Sequence, residues 1–93
     1  MVKKKVIWDE LPRNALKEAS HYIQRNSIHE AEKVKNGIIA ATKELSEYPE
    51  RYPPDKYRKD NDIRFRAFEK FNYRISYFIA EDAIRILRFR HVR

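Results

Sequence analysis

The sequence predicts an α+β fold: an N-terminal strand, an antiparallel helix hairpin and then three antiparallel strands, forming one small sheet that the helices cover on one face. Three observations predict it. Residues 11–48 carry two apolar stripes of helical spacing, a stretch rich in proline and tyrosine follows, and three runs of strand composition close the chain. Because 93 residues are enough for one small domain, we predict a single domain spanning residues 1–93.

The opening segment, KKKVIWD, combines β-branched and aromatic residues and ends at an acidic residue, which predicts a short strand. We expect Lys3, Lys4 and Lys5 to protect the edge of a sheet from pairing with other chains. The segment is therefore predicted as an edge strand.

The next segment, LPRNALKEASHYIQRN, predicts the first helix. Pro12 is compatible with it, because a proline in the first turn lacks only an N–H that has no partner within the helix. The apolar residues at helical spacing are Leu11, Ala15, Ala19, Tyr22 and Ile23.

The second helix has the clearest local signal. SIHE has the pattern of a capping box, which predicts that Ser27 caps the helix and that Glu30 reaches back to it. The stripe that follows ends at Pro49, and the short connection between the two helices predicts an antiparallel hairpin. The members of the stripe are Ala31, Val34, Ile38, Ala41, Leu45 and Tyr48.

The stretch YPERYPPDKYRKDND, with three of the four prolines, predicts an extended loop. The strand runs IRFRAFEK, NYRISYFIA and AIRILRFRHV follow, separated by turns at FN and EDA. Alternation places Arg64 and Arg66 on one face of their strand and Arg74 opposite the apolar residues of the next. We therefore predict a water-exposed face on which Arg64, Arg66, Arg74 and the cations of the last strand form one patch.

The charge balance favours an anionic partner. Lys and Arg total 21 against 14 Asp and Glu, a net charge of +7, which suits nucleic acid or an acidic protein segment. The absence of cysteine excludes disulfides, and the three histidines are too scattered for metal-ligand spacing, so we expect no metal and no cofactor. Since no apolar run approaches the ~20 residues of a membrane span and the segment MVKKKVIWDELP lacks the apolar stretch typical of a signal peptide, we expect a cytoplasmic protein.

Taken together, these features resemble the RelE/ParE superfamily of toxins from bacterial type II toxin–antitoxin modules. The resemblance covers almost the whole chain, and its most specific part is YRISY followed by an acidic turn and IRILRFRH. It implies a protein that arrests growth when free and is silenced by a cognate acidic antitoxin. RelE-like members cleave messenger RNA in the ribosomal A site, whereas ParE-like members poison DNA gyrase without being nucleases.

Under the nuclease hypothesis, which we expect to hold, the partners are the ribosome and mRNA, and the resemblance assigns catalytic roles. Arg74 matches the arginine that RelE-like enzymes place beside the scissile phosphate, and Arg64 and Arg66 fall where RelE has two strand lysines. His91 is a candidate general acid or base because its ordinary pKa is close to neutrality. Asp55 lies where some relatives have a loop carboxylate. The predicted nucleic-acid-binding residues are Lys56, Arg58, Arg88 and Arg90.

Departures from RelE keep gyrase inhibition open as the alternative. Arginines replace the two RelE lysines, and the pKa of arginine is too high for it to accept a proton at neutral pH. Each candidate also has a structural interpretation. Arg64 and Arg66 would be solvent-facing strand residues, Arg74 an ion-pair partner of Glu69 or Asp82, and His91 a surface residue. The loop tyrosines would serve only to pack the loop. A third possibility for the whole chain is a nucleic-acid-binding domain without toxicity.

Overall fold

The computed structural model describes residues 3–58 and 60–92. In this part of the chain the four strands form one mixed sheet in the order β1-β4-β3-β2, with β1 parallel to β4 and the other neighbours antiparallel. The predicted α+β fold and its element order are confirmed. The elements are β1 (Lys5–Trp8), α1 (Glu10–Gln24), α2 (Ile28–Glu44), β2 (Phe65–Lys70), β3 (Tyr73–Ile79) and β4 (Ala83–His91).

The hydrophobic core lies between the two helices and one face of the sheet, which we call the helix face. Burial of this apolar surface is the main stabilising contribution to the fold. The buried members of the core are Leu16, Val34, Ile38, Ala41, Leu45, Phe68, Ile75, Tyr77, Ile84, Ile86 and Phe89. The opposite face, which carries Arg74, Ser76 and Phe78, is called the outer face below.

The predicted apolar stripes are confirmed in their central parts and wrong at their ends. Leu11 and Tyr22 are 81% and 67% exposed, because the buried face of α1 runs through Pro12 and Leu16 instead. Tyr48 lies beyond the end of α2 and is 60% exposed. Helical spacing alone therefore did not ensure burial at these three positions.

Ser27 caps α2 as predicted, because its side chain accepts a hydrogen bond from the N–H of Glu30 at 3.1 Å. The predicted return bond from the Glu30 side chain is wrong. The N–H of Ser27 donates to the carbonyl oxygen of Ile23 at 3.0 Å, so the end of α1 already uses that donor.

A β-bulge in β4 decides which arginines share a face. Tyr77 pairs with Ile86 whereas Ser76 pairs with Arg88, so Leu87 is an extra residue on β4. In an unbroken strand, residues 85 and 88 would point to opposite faces. The bulge brings both onto the outer face, together with residue 90.

No helix within the described ranges is long and apolar enough to cross a membrane.

Candidate functional site

Arg74 lies in β3 on the outer face, yet it is only 9% exposed. Its Nη2 donates to Oδ1 of Asp55 at 2.8 Å, and its Nη1 lies 3.8 Å from the carboxylate of Glu69. The ring of Tyr57 lies 4.7 Å from its guanidinium carbon. The prediction that this side chain is open to water is wrong, because a loop covers it. The Glu69 contact bears out the ion-pair interpretation, although Asp55 is the nearer partner.

The covering loop connects α2 to β2 and passes around the outer edge of β2. On the helix face, the ring of Tyr52 stacks on Phe68 with centroids 4.3 Å apart. Pro54 then forms an isolated antiparallel bridge with Arg66 at the strand edge. One residue later, Asp55 reaches the outer face. The loop therefore closes this edge of the sheet and carries a carboxylate from one face to the other.

Arg66 lies on the helix face, opposite to Arg74. In the register of β2 and β3, Arg66 pairs with the core residue Tyr77, whereas Arg74 pairs with Glu69, three positions further along β2. Because side chains alternate along a strand, an odd separation puts the two arginines on opposite faces. The predicted patch containing both of them is therefore wrong.

The guanidinium of Arg66 is bound by backbone carbonyl oxygens. Its Nε donates to Ile63 at 2.9 Å and its Nη1 donates to Tyr52 at 2.8 Å, and the residue is 8% exposed. A buried cation requires such partners. In this structure Arg66 holds both ends of the loop against β2.

Arg64 precedes β2 and lies toward the outer face, over Phe78, so the prediction that it shares a face with Arg66 is wrong. Its Nε and Nη2 donate to the carboxylate of Asp62 at 3.0 and 2.7 Å, and these hydrogen bonds lower the pKa of Asp62 to about 2. The guanidinium also lies 5.2 Å from the ring centroid of Phe78. On the neighbouring ring of Phe65, the guanidinium of Arg58 stacks at 3.5 Å. These two cations flank an aromatic pair.

The arginines of β4 share the outer face because of the bulge. Arg85 is bound to Asp9 through two hydrogen bonds of 3.2 and 2.8 Å. Arg88 and Arg90 are exposed and lie in register beside Ser76 and Arg74. The predicted contribution of the last strand to a cationic outer face is consistent with this placement.

His91 lies at the end of β4, where it pairs with Tyr73. Its ring meets the Tyr73 ring edge-on with centroids 5.1 Å apart. Since the adjacent Tyr73 and Arg74 point to opposite faces, His91 and Arg74 are not brought together. Burial of Tyr73 raises the pKa of its phenol.

The four predicted catalytic residues are thus dispersed. Arg74 is covered on the outer face, Arg64 lies over an aromatic ring, and Arg66 and His91 lie on the helix side. The sequence did not predict that Asp55 contacts Arg74, because this hydrogen bond joins a loop residue to a residue of β3 that lies 19 positions further along the chain.

In residues 3–58 and 60–92 there is no group of three or more His, Asp or Glu residues that could hold a metal ion.

Comparison with known proteins gives the family. A family model described as "ParE toxin of type II toxin-antitoxin system, parDE" matches residues 6–93. A solved structure titled "Chromosomal ParDE TA system from P. aeruginosa" is similar with a TM-score of 0.77 and 17% sequence identity, over 98% of each chain; at that identity the likeness shows the fold. A comparison with curated protein sequences finds no match. Because the family match takes in nearly the whole chain, this protein belongs to the ParE toxin family of type II toxin–antitoxin systems.

Proposed function

We propose that the free protein arrests growth by binding and inhibiting DNA gyrase, without cleaving RNA. The observation that supports this is the dispersal of the four candidate catalytic side chains over both faces of the sheet. Cleavage of RNA through its own 2′-hydroxyl needs a base, an acid and a cation around one phosphate. Binding to a topoisomerase needs no such constellation, and gyrase is the target of the ParE-like toxins that the chain resembles.

Messenger RNA cleavage on the ribosome is the second candidate. Exposed Arg88 and Arg90, with Lys56 and Arg58 on the loop, favour it because cations along one face suit a phosphate backbone. In this hypothesis Arg74 would have to leave Asp55 before it could bind a phosphate. That requirement makes the second candidate the weaker one.

Two assays on the purified protein separate these functions. In the first, gyrase supercoils a relaxed plasmid; we expect loss of supercoiling and accumulation of cleaved DNA, both prevented by prior addition of the antitoxin. In the second, primer extension is carried out on a message during translation, and we expect no new 5′ ends. New ends in the coding region with undisturbed supercoiling would overturn the proposal. If the protein shows neither effect and binds nucleic acid with an affinity that falls as the salt concentration rises, it is a nucleic-acid-binding domain without toxicity.

The partner that we propose is an acidic antitoxin of the ParD type. Two features support it besides the net charge of +7. A surface groove of about 770 Å³ runs between α1 and α2, with Leu16, Ala31 and Ile39 among its apolar lining residues. In the described sheet β1 is an outermost strand, and its Ile7 is 45% exposed. An apolar helix in the groove, an added strand on this edge, or both would neutralise the toxin.

A further inference from the structure

We propose that Arg74 is a positioning residue: with Asp55 it fixes residues 56–58 on the outer face, where Tyr57 and the two flanking cations contact an acidic surface of the target protein. This role differs from the phosphate contact that the RelE resemblance assigns to the same arginine. It rests on the proposed function insofar as the target is gyrase.

The environment of the Arg74–Asp55 ion pair is the first argument. Both side chains are only 11% exposed and the N–O distance is 2.8 Å. Charges withdrawn from water lose hydration, and this loss is offset only where their geometry is good and their hydrogen bonds are satisfied. Removing Arg74 leaves Asp55 as an uncompensated charge in a shielded place, whereas removing Asp55 leaves Arg74 with only the longer contact to Glu69 at 3.8 Å. The position of the loop therefore depends on this pair.

The hydrogen bonds of Asp55 carry the constraint into the following residues. Its Oδ1, which accepts from Arg74, also accepts from the N–H of Tyr57 at 3.0 Å. Its carbonyl oxygen accepts from the N–H of Arg58 at 3.1 Å, and its own N–H donates to Phe65 at 2.7 Å. One residue thus joins β2, β3 and the turn at residues 56–58.

The turn presents an exposed aromatic ring between two cations. Tyr57 is 66% exposed even though Arg74 lies beneath its ring. The ammonium group of Lys56 lies 5.3 Å from the Tyr57 ring, and the guanidinium of Arg58 is held on Phe65. Tyrosine and arginine are enriched among residues that dominate binding energy at protein interfaces. A segment already held in place loses less conformational freedom on binding. The ammonium group of Lys56, together with the guanidinium of Arg58, which lies 3.4 Å from the Asp60 carboxylate, suits an acidic partner surface.

The two possible roles of Arg74 predict different effects of changing Asp55. If Arg74 touches the target itself, Asp55→Asn loosens the hold on the guanidinium by removing the ion pair and leaves inhibition unchanged or stronger. If Arg74 acts through the loop, Asp55→Asn must weaken inhibition in parallel with Arg74→Ala. The asparagine keeps the oxygen that accepts from the Tyr57 N–H and from Arg74, so the variant removes mainly the charge.

The experiment measures gyrase inhibition and loop position on the same proteins. We expect Arg74→Ala and Asp55→Asn each to weaken inhibition about tenfold or more, and the double variant to be no weaker than the single ones. Limited trypsin digestion, followed by mass spectrometry, should show faster cleavage after Lys56 and Arg58 in both single variants. Additive losses, or full inhibition by Asp55→Asn, would overturn the proposal.

Two further variants leave the Arg74–Asp55 ion pair intact, so their results do not depend on whether its removal disturbs the fold. Tyr57→Ala leaves Arg74 and Asp55 in place, so we expect loss of inhibition with trypsin resistance unchanged. Arg85→Ala breaks the outer-face ion pair with Asp9, outside the loop, and should change neither property. The assignment would be refuted if Tyr57→Ala inhibited gyrase fully, or if this variant lost only its binding to the antitoxin.

Failure of the proposed function would be recognised separately. If the unmodified protein leaves gyrase active, gyrase is not the target. The same variants are then compared by growth arrest on expression and by trypsin cleavage, neither of which involves gyrase. Parallel loss of arrest in Arg74→Ala, Asp55→Asn and Tyr57→Ala would still support the positioning role, and full arrest by any of them would overturn it.

Discussion

The ring of Phe71, in the turn between β2 and β3, lies against Gly37 in the middle of α2. A Cβ atom at position 37 would lie 2.6 Å from Cε2 and 3.0 Å from Cζ of that ring. Phe71 itself has φ of 55°, a left-handed conformation that is unfavourable for an aromatic residue. Since glycine inside a helix costs about 1 kcal/mol relative to alanine, its presence here is explained by the space that the ring requires.

This contact predicts a coupling between the two positions. In a Phe71→Ala background, Gly37→Ala should stabilise the protein by about 1 kcal/mol through helix propensity. In the unmodified protein the added methyl displaces the ring, so we expect the same change to be at least about 1 kcal/mol less favourable. Urea unfolding of the four proteins measures the coupling. An equal gain in both backgrounds would contradict it.

A second prediction concerns alkaline pH. Burial raises the pKa of Tyr77 to about 12 from its ordinary value of 10.0, so the folded protein keeps the phenol proton at pH values where the unfolded chain loses it. The resulting stabilisation is complete below pH 10 and is lost as the pH rises to about 12. Tyr77→Phe should reduce this loss measurably in unfolding experiments across that range.

The same substitution has an effect at neutral pH. The hydroxyl of Tyr77 donates to the carbonyl oxygen of Pro49 at 2.7 Å, and its removal should lower the unfolding free energy by about 1 kcal/mol. Tyr48→Phe, at an exposed site, is the matched control and should alter neither the neutral value nor the alkaline slope. A steep alkaline loss that persists in Tyr77→Phe would show that another group causes it.

Replacement by alanine should have opposite effects on stability at two serines. Ser27→Ala removes the cap of α2 and should destabilise the protein by about 1 kcal/mol. The hydroxyl oxygen of Ser20 in α1 is buried without a hydrogen-bond partner among the described residues, so Ser20→Ala should be neutral or stabilising. Thermal unfolding compares them, and a loss of stability in Ser20→Ala would mean that its hydroxyl is satisfied.

His91→Gln tests the two candidate functions. Because His91 and Arg74 lie on opposite sides of the sheet, we expect gyrase inhibition and growth arrest to be unchanged. A general acid or base in RNA cleavage would instead lose roughly 10² or more in rate, together with one limb of the pH profile. A loss of that size in growth arrest would favour the nuclease.

Antitoxin capture should depend on salt. The net charge of +7 favours an acidic ligand, so the association rate should fall as ionic strength rises, while apolar contacts keep dissociation slow. Stopped-flow binding measures both rates. Replacing exposed Arg88 and Arg90 with alanine should flatten the salt dependence of association, and an association rate indifferent to salt would exclude a role of these arginines in capture.

The sequence by itself determined the elements and their order, because the signals for them are local. The cap at Ser27, the central stripe of α2 and the turn at Phe71 and Asn72 depend on residues within a few positions of one another. The basic charge and the resemblance also led to the toxin family. The cap, the stripe and the turn are confirmed because contacts between residues close in the sequence decide them, and the family is confirmed by the match over residues 6–93.

Only the tertiary structure decided which cations share a face and which are available. The extra residue Leu87 shifts the alternation of β4, and the pairing with β3 puts Arg66 on the opposite face from Arg74. Asp55 covers Arg74 because the loop turns around the edge of β2. Each of these outcomes depends on register and pairing between segments far apart in the chain, and the period-two pattern of a single strand contains no information about its partner.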